Sequence, residues 1–222
     1  MPRCKLIGVN PRQDNNRVTS AAPWLWLVVA IAAAPAAFAQ QPEKPNGIFL
    51  VAKPGMQDPN FSESVVLVTQ AADASTVGVI INRPTSLQLR QLLPELAAAA
   101  NYRDRVYFGG PVARQAIVAL FRADTPPAAP AFHVLKNLYL TLHPDNITAL
   151  LATDSRQYRL YTGFSGWAPR QLEGEFALEG WHVVPADAET VFRDDPQNLW
   201  QELVRRAEKR PVNASGAHRM HQ

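Results

Sequence analysis

Short runs of apolar residues, most of them rich in β-branched side chains, recur along the chain between turn-like segments. Runs of about four to eight such residues are typical of buried β-strands. The connection between the first two runs, residues 53–64, is too short for the helical crossover that joins parallel strands. We expect strands at Ile48–Ala52, Val65–Val68, Val77–Ile81, Val106–Phe108, Ala116–Phe121, Leu138–Leu140, Tyr158–Tyr161 and Trp181–Val184.

Helical periodicity is confined to four segments. A leucine pattern begins at Leu87 and is broken by Pro94, and Pro169 is suited to the first position of a further short helix. The other two helices are expected at Pro144–Leu151 and Pro196–Glu208. Because strands and helices alternate irregularly, we predict a single α+β domain with a mixed, curled sheet flanked by short helices.

The first 39 residues have the pattern of a signal peptide. A basic segment leads into the uncharged run Ala21–Ala39, which Pro35 interrupts after about a dozen apolar residues, short of the roughly 20 that span a bilayer. Ala37-Phe38-Ala39 supplies the small residues required for cleavage. We predict cleavage after Ala39 and an exported bacterial protein, periplasmic or secreted; an uncleaved anchor is the alternative. The expected organisation is a signal peptide at 1–39, a flexible leader at 40–46, the domain at 47–208 and a disordered tail at 209–222.

The charge balance excludes one class of partner. Removing the four basic and one acidic residues of the first 39 from the totals of 22 and 19 leaves 18 of each. A neutral domain lacks the basic surface that a phosphate backbone requires, so no nucleic-acid partner is expected. Cys4, the sole cysteine, leaves with the signal peptide. The remaining chain therefore has no disulfide and no thiol nucleophile.

Four motifs together carry a family resemblance: GIFLVAKPGMQDPNF at 47–61, VGVIINRP at 77–84, FGGPV at 108–112 and GFSGWAPRQLEGE at 163–175. In order and spacing they resemble the YqgE/AlgH family. That resemblance implies an α+β fold with a barrel-like sheet, no established enzymatic activity and a name linked to regulation of alginate production. A transcriptional regulator is disfavoured here, because an exported protein does not meet the chromosome.

This chain departs from the family's usual pattern at three places. Thr69-Gln70 and Phe121-Arg122 stand where the family often has a histidine. Arg170 stands where the family commonly has glycine, which puts a shared ligand contact at this point in doubt.

Polar and glycine residues at predicted strand ends are the candidate binding site. Asn82 and Arg83 could together hold a carboxylate or phosphate; alternatively, Arg83 pairs with an acid such as Asp58 or Glu173. The Gly109-Gly110 turn could expose backbone N–H groups, and Trp167 beside the helix face of Gln171 and Glu175 could wall a pocket. The alternatives are a tight bend at the glycines and a core position for Trp167. The full candidate set is Asn82, Arg83, Gly109, Gly110, Trp167, Gln171 and Glu175.

The residues give no specific signal for catalysis. The histidines of the domain are isolated, so no metal is expected, and no cofactor motif or catalytic residue is assigned. The leading hypothesis is an exported binding or regulatory module with a site for a small anion or peptide, its ligand an unknown protein or small molecule. The alternative is a hydrolase in which Glu173 or Glu175 activates water. No membrane contact is expected beyond the signal segment, and the sequence leaves the oligomeric state open.

Overall fold

A computed structural model describes residues 45–153, 157–178 and 180–209. The predicted signal peptide, residues 40–44 of the leader and residues 210–222 of the tail lie outside the described residues. The strands are β1 Ile48–Ala52, β2 Val65–Gln70, β3 Thr76–Ile80, β4 Tyr107–Phe108, β5 Val112–Arg122, β6 Phe132–Leu135, β7 Leu138–Thr141, β8 Tyr158–Trp167 and β9 Trp181–Pro185. The helices are α1 Leu89–Leu92, α2 Pro144–Leu151, α3 Gln171–Ala177, α4 Ala188–Val191 and α5 Leu199–Glu208.

The strands form one sheet in the order β6-β7-β5-β8-β3-β2-β1-β9, and β4 also pairs with β8. Every pair in that order is antiparallel, and β4–β8 is parallel. The sheet curls so that the Gly47 N–H, just before β1, donates to the Val134 carbonyl of the edge strand β6 at 2.8 Å. The predicted α+β fold with a curled sheet is confirmed, and the sheet does not close into a barrel.

β8 joins the two halves of the sheet. Its first half pairs with β5, and Ser165, Gly166 and Trp167 pair with β3. Within the strand, Gly163 has a φ of 69°, a conformation that favours glycine. The strand predicted to end at Tyr161 continues through the GFSGW motif, because Phe164 still pairs with β5 and Ser165 to Trp167 pair with β3.

Three apolar clusters form the core. One face of the sheet packs against α5 through Leu199, Leu203 and Val204. The other face, around Trp167 and Trp181, is covered by α3 and by residues 53–64, which we call the β1–β2 loop. The third cluster lies under α1 and α2. The candidate site residues are thus placed on the face that α3 and the β1–β2 loop cover.

Several predicted boundaries are wrong. Pro169 is not a helical residue, since Arg170 is the N-cap of α3. The C-terminal helix begins at Leu199 rather than Pro196. The leucine pattern forms only α1, followed by a 3₁₀ turn at Ala97–Asn101, in agreement with the break expected at Pro94. Within the described ranges, no helix has the length and apolar character needed to cross a membrane.

The sequence pattern did not predict two elements, strand β6 and helix α4. Strand β6 follows a proline-rich loop, and only its pairing with β7 defines it. Helix α4 has four residues, too few to show periodicity, and depends on its cap: the Asp187 carboxylate accepts the Thr190 N–H at 2.7 Å.

Candidate functional site

Asn82 and Arg83 hold the β1–β2 loop in place. The Asn82 side chain accepts the Val65 N–H at 2.8 Å and donates to the Glu63 carbonyl at 2.9 Å. The Arg83 guanidinium donates to the carbonyls of Asn60 at 2.5 Å and Ser62 at 2.6 Å. Because these carbonyls belong to a loop, they would otherwise need water or another donor. Both side chains therefore brace the loop.

The surroundings of Arg83 do not favour an anion. Burial lowers the pKa of its half-buried guanidinium from the usual value, and the carboxylates of Asp58 and Glu63 oppose that change. In the described part of the chain its hydrogen-bond acceptors are backbone carbonyls, and no ion pair with Asp58 or Glu173 forms. The carboxylates of Asp58 and Glu63 would repel an anionic ligand that approached the guanidinium. Arg83 is thus engaged by the loop rather than by an acid.

Glu175 links two tryptophans. One of its carboxylate oxygens accepts the Trp167 indole N–H at 3.0 Å and the other accepts the Trp181 indole N–H at 2.9 Å. The two tryptophans are 3% and 5% exposed. Phe61 of the β1–β2 loop packs against both rings, with centroids 5.6 and 5.4 Å away. This indole clamp, Glu175 with Trp167 and Trp181, fixes α3 to β8, β9 and the loop.

Gly109 and Gly110 lie against the backbone of β8. The Gly109 N–H donates to the Thr162 carbonyl at 2.9 Å, and its own carbonyl accepts the Ile80 N–H at 2.9 Å and the Ser165 hydroxyl at 3.0 Å. A Cβ added at Gly109 would lie 2.2 Å from the Gly163 carbonyl oxygen. These glycines therefore permit a close crossing of two backbone segments.

Gln171 completes the candidate set. Its side-chain oxygen accepts the Ala168 N–H at 3.1 Å and closes the turn that precedes α3. The structure thus brings the four motif segments together on one face, where their polar atoms mainly contact each other.

An open pocket of about 260 Å³ lies beside these contacts, between α3 and the ends of β2 and β3. We call it the α3 pocket. Its apolar part includes Ile48, Val68, Leu172 and Phe176, and its polar part is Asn46, Thr69, Gln70, Thr76, Arg170 and Glu173.

Among the described residues that line the α3 pocket, Arg170 is the only cation. It is exposed, and its φ of 69° places a non-glycine residue in the left-handed region. For an L-residue this conformation costs about 1–2 kcal/mol. Glycine would adopt this conformation without strain, whereas the arginine of this chain bears its cost.

Two of the three departures from the family pattern meet in the α3 pocket. Thr69 and Gln70 line it opposite the segment that carries Arg170. The Asn46 side chain is fixed at the same place, since its oxygen accepts the Gln70 N–H at 3.1 Å. Sequence reasoning missed this pocket because its parts are far apart along the chain; the departures themselves were the available signal.

The histidines occupy separate positions. His143 accepts the Asp145 N–H at 3.3 Å and caps α2. Burial, and secondarily the nearby Lys53, lower the pKa of His182. Within residues 45–153, 157–178 and 180–209, no three His, Cys, Asp or Glu side chains gather as a metal site would require.

These features define a class of protein: a small α+β domain on one curled, largely antiparallel sheet whose motif residues brace a long loop. The chain belongs to the AlgH-like family, whose model matches residues 49–212. This confirms the resemblance found in the four motifs.

Relatives and solved structures agree with this assignment. A UPF0301 protein of Myxococcus xanthus is 36% identical over 159 residues, covering 70% of this chain and 87% of that protein. One from Thermobifida fusca is 34% identical, covering 72% and 86%. The solution structure of AlgH from Pseudomonas aeruginosa is similar with a TM-score of 0.62 and 25% identity, covering 82% of this chain and 98% of that one. The biochemical function of the AlgH-like family is uncharacterised.

Proposed function

We propose that this chain is an exported binding module whose ligand, a small anion or a short acidic peptide, occupies the α3 pocket. The observation that carries the proposal is Arg170, an exposed cation kept in a strained backbone conformation at the wall of a cavity. Strained residues persist where the surrounding structure enforces them, and they cluster at ligand sites.

The chemistry of the α3 pocket suits such a ligand. An arginine fork binds a carboxylate or phosphate through paired hydrogen bonds. The side-chain amide of Gln70 and the hydroxyl of Thr76 can bind the polar parts of a peptide, while Leu172 and Phe176 offer apolar contact. A cavity of about 260 Å³ suits a ligand of a few residues at most.

Binding is favoured over the hydrolase alternative by the positions of the two glutamates. Both oxygens of Glu175 accept an indole N–H, so this carboxylate is committed to the indole clamp. Glu173 lines the α3 pocket as an exposed side chain, and an exposed carboxylate lacks the environment that tunes a general base.

Arg170 provides a matched pair of variants. Arg170→Gly should raise the free energy of unfolding by about 1 kcal/mol, because glycine adopts the left-handed conformation without strain. Arg170→Ala keeps the strain and should leave stability within about 0.5 kcal/mol. Both remove the guanidinium and should weaken binding of acetate, inorganic phosphate and short glutamate-containing peptides about tenfold or more. Chemical denaturation and NMR titration measure the two effects.

The combination distinguishes function from folding. Loss of binding in a variant that is more stable than the parent cannot arise from unfolding. The proposal is contradicted if the parent binds none of these probes, or if either variant binds them as tightly as the parent.

The proposed export depends on the signal peptide at residues 1–39 and can be tested separately. When the full-length chain is produced in a bacterial host, the processed protein should be found outside the cytoplasm with Gln40 as its first residue, because Ala37 and Ala39 form the cleavage pattern. Cell fractionation and N-terminal sequencing of the purified protein measure this.

Two variants test the cleavage pattern itself. Ala39→Leu removes a required small residue and should leave the chain uncleaved in the membrane fraction, whereas Phe38→Leu changes the permissive middle position and should be processed normally. Recovery of the intact, full-length parent from the cytosol would contradict export.

A further inference from the structure

A second cavity of about 250 Å³ opens at the beginning of β8, whereas the α3 pocket lies beyond its end. We call it the tyrosine pocket, after Tyr102, Tyr107 and Tyr158, which line it together with Arg159. Sequence reasoning singled out none of these residues. They come from two segments far apart in the sequence that only the fold brings together.

Arg159 is held rigidly in the wall of the tyrosine pocket. Its guanidinium donates to the Val191 carbonyl at 2.6 Å and to the Arg193 carbonyl at 3.0 Å. It also lies over the Tyr107 ring, 4.4 Å from the centroid. Two of its five N–H donors are accounted for by these bonds. The group is therefore a positively charged donor whose orientation is fixed before any ligand arrives.

The tyrosines provide neutral, ordered aromatic surface. Tyr102 and Tyr158 pack with ring centroids 5.6 Å apart. The Tyr102 hydroxyl accepts the Leu160 N–H at 3.1 Å and donates to the Arg105 carbonyl at 3.3 Å. Burial raises the pKa of both phenols, so they stay protonated at neutral pH. The rings can cover an apolar or aliphatic group without adding charge.

Charges of both signs stand at the rim. Asp104, Arg105 and Asp194 are exposed and line the same cavity as Arg159. Among the described residues, no ion pair joins any of these four side chains to another. The pocket therefore presents two cations and two anions that have not neutralised each other by direct contact.

This balance selects the charge of a ligand. A simple anion would meet two carboxylates, and a simple cation would meet two guanidinium groups. A molecule that carries a carboxylate and an ammonium group can pair with both signs at once. The cavity is smaller than the roughly 300–1,000 Å³ typical of pockets for drug-sized ligands, so the ligand must be small.

We propose that the tyrosine pocket is a second binding site, distinct from the α3 pocket, and that it takes a zwitterion of amino-acid or dipeptide size. The ligand carboxylate pairs with Arg159 and Arg105, its ammonium group with Asp104 and Asp194, and its side chain contacts the tyrosine rings.

The test is a titration followed by NMR and calorimetry, with glycylglycine and a panel of free α-amino acids as probes. Unblocked probes should bind and shift resonances around Tyr102 and Tyr158. Acetylating the amine or amidating the carboxylate of the same probe should weaken binding about tenfold or more, because each modification removes one of the two charges of the ligand.

Rim variants assign each charge without disturbing the buried wall. The double variant Asp104→Asn/Asp194→Asn should bind probes with a free amine and with an acetylated amine equally tightly. It should still bind probes with a free carboxylate more tightly than amidated ones. Arg105→Gln should reduce the carboxylate preference alone. Glu95→Gln is the matched control, since it neutralises an exposed carboxylate that lines neither pocket and should bind these probes as the parent does.

The outcomes separate the two sites. If no panel member binds, if blocked and free probes bind equally, or if the rim variants leave both preferences unchanged, the tyrosine pocket is not a zwitterion site. If Arg170→Ala abolishes binding of the zwitterions, they occupy the α3 pocket instead, and the second site is refuted.

Discussion

Gly109→Ala is expected to lower the free energy of unfolding by about 3 kcal/mol or more, a large part of the stability of a domain this size. The added Cβ would lie 2.2 Å from the Gly163 carbonyl oxygen and 3.1 Å from the Tyr161 Cβ. Both neighbours belong to β8, the strand shared by the two halves of the sheet, so the clash can be relieved only by moving backbone. Urea denaturation followed by circular dichroism measures the change.

Gly174 offers the matched control. It lies in α3, and a Cβ built there meets nothing within 4 Å. Gly174→Ala should therefore raise the free energy of unfolding by about 0.5–1 kcal/mol, through the better helix propensity of alanine. Equal effects of the two substitutions would show that the close crossing of Gly109 and β8 is not a constraint on this fold.

Glu175→Ala is expected to lower the free energy of unfolding by about 3 kcal/mol, because two buried indole N–H groups lose a charged acceptor at once. Glu175→Gln keeps one acceptor oxygen and one satisfied indole, so its cost should be about half as large. The partial exposure of Glu175 limits both effects. Denaturation and the near-ultraviolet circular dichroism of the two tryptophans provide the measurement.

Glu173 is the control on the same helix. It is exposed and outside the indole clamp, so Glu173→Ala should change stability by no more than about 0.5 kcal/mol. If Glu175→Ala proves as neutral as this control, the indole clamp does not hold α3. A hydrolytic activity lost in Glu175→Gln with the fold intact would favour the hydrolase alternative over binding.

The four motifs identify the fold more directly than any activity. Asn82 and Arg83 of the second motif hold the loop that follows β1 in the first, and the Arg83 carbonyl accepts the N–H of Phe108 from the third at 2.8 Å. Glu175 of the fourth motif fixes two tryptophans. The polar residues that suggested a ligand site thus bind other parts of the protein, and the proposed binding site is the neighbouring α3 pocket.

The sequence by itself determined eight of the nine described strands, the α+β class and the charge balance. Runs such as Phe49–Val51 form strands because their side chains are apolar on both faces and must be buried, a property that each run carries locally. The family could be read for the same reason, since its motifs lie in unbroken segments. The end of β8 was predicted too early, at Tyr161, because the strand continues past Gly163 to Trp167.

Only the tertiary structure decided which polar groups are available to a ligand. Asn82, Arg83 and Glu175 carry donors and acceptors that could have faced solvent, and contacts with distant segments use them inside the protein. The fold also placed Arg170 beside Gln70 in one pocket. The reason is physical: burial of an apolar run is decided residue by residue, whereas the partner of a hydrogen-bonding group depends on which distant parts of the chain the fold brings within about 3 Å.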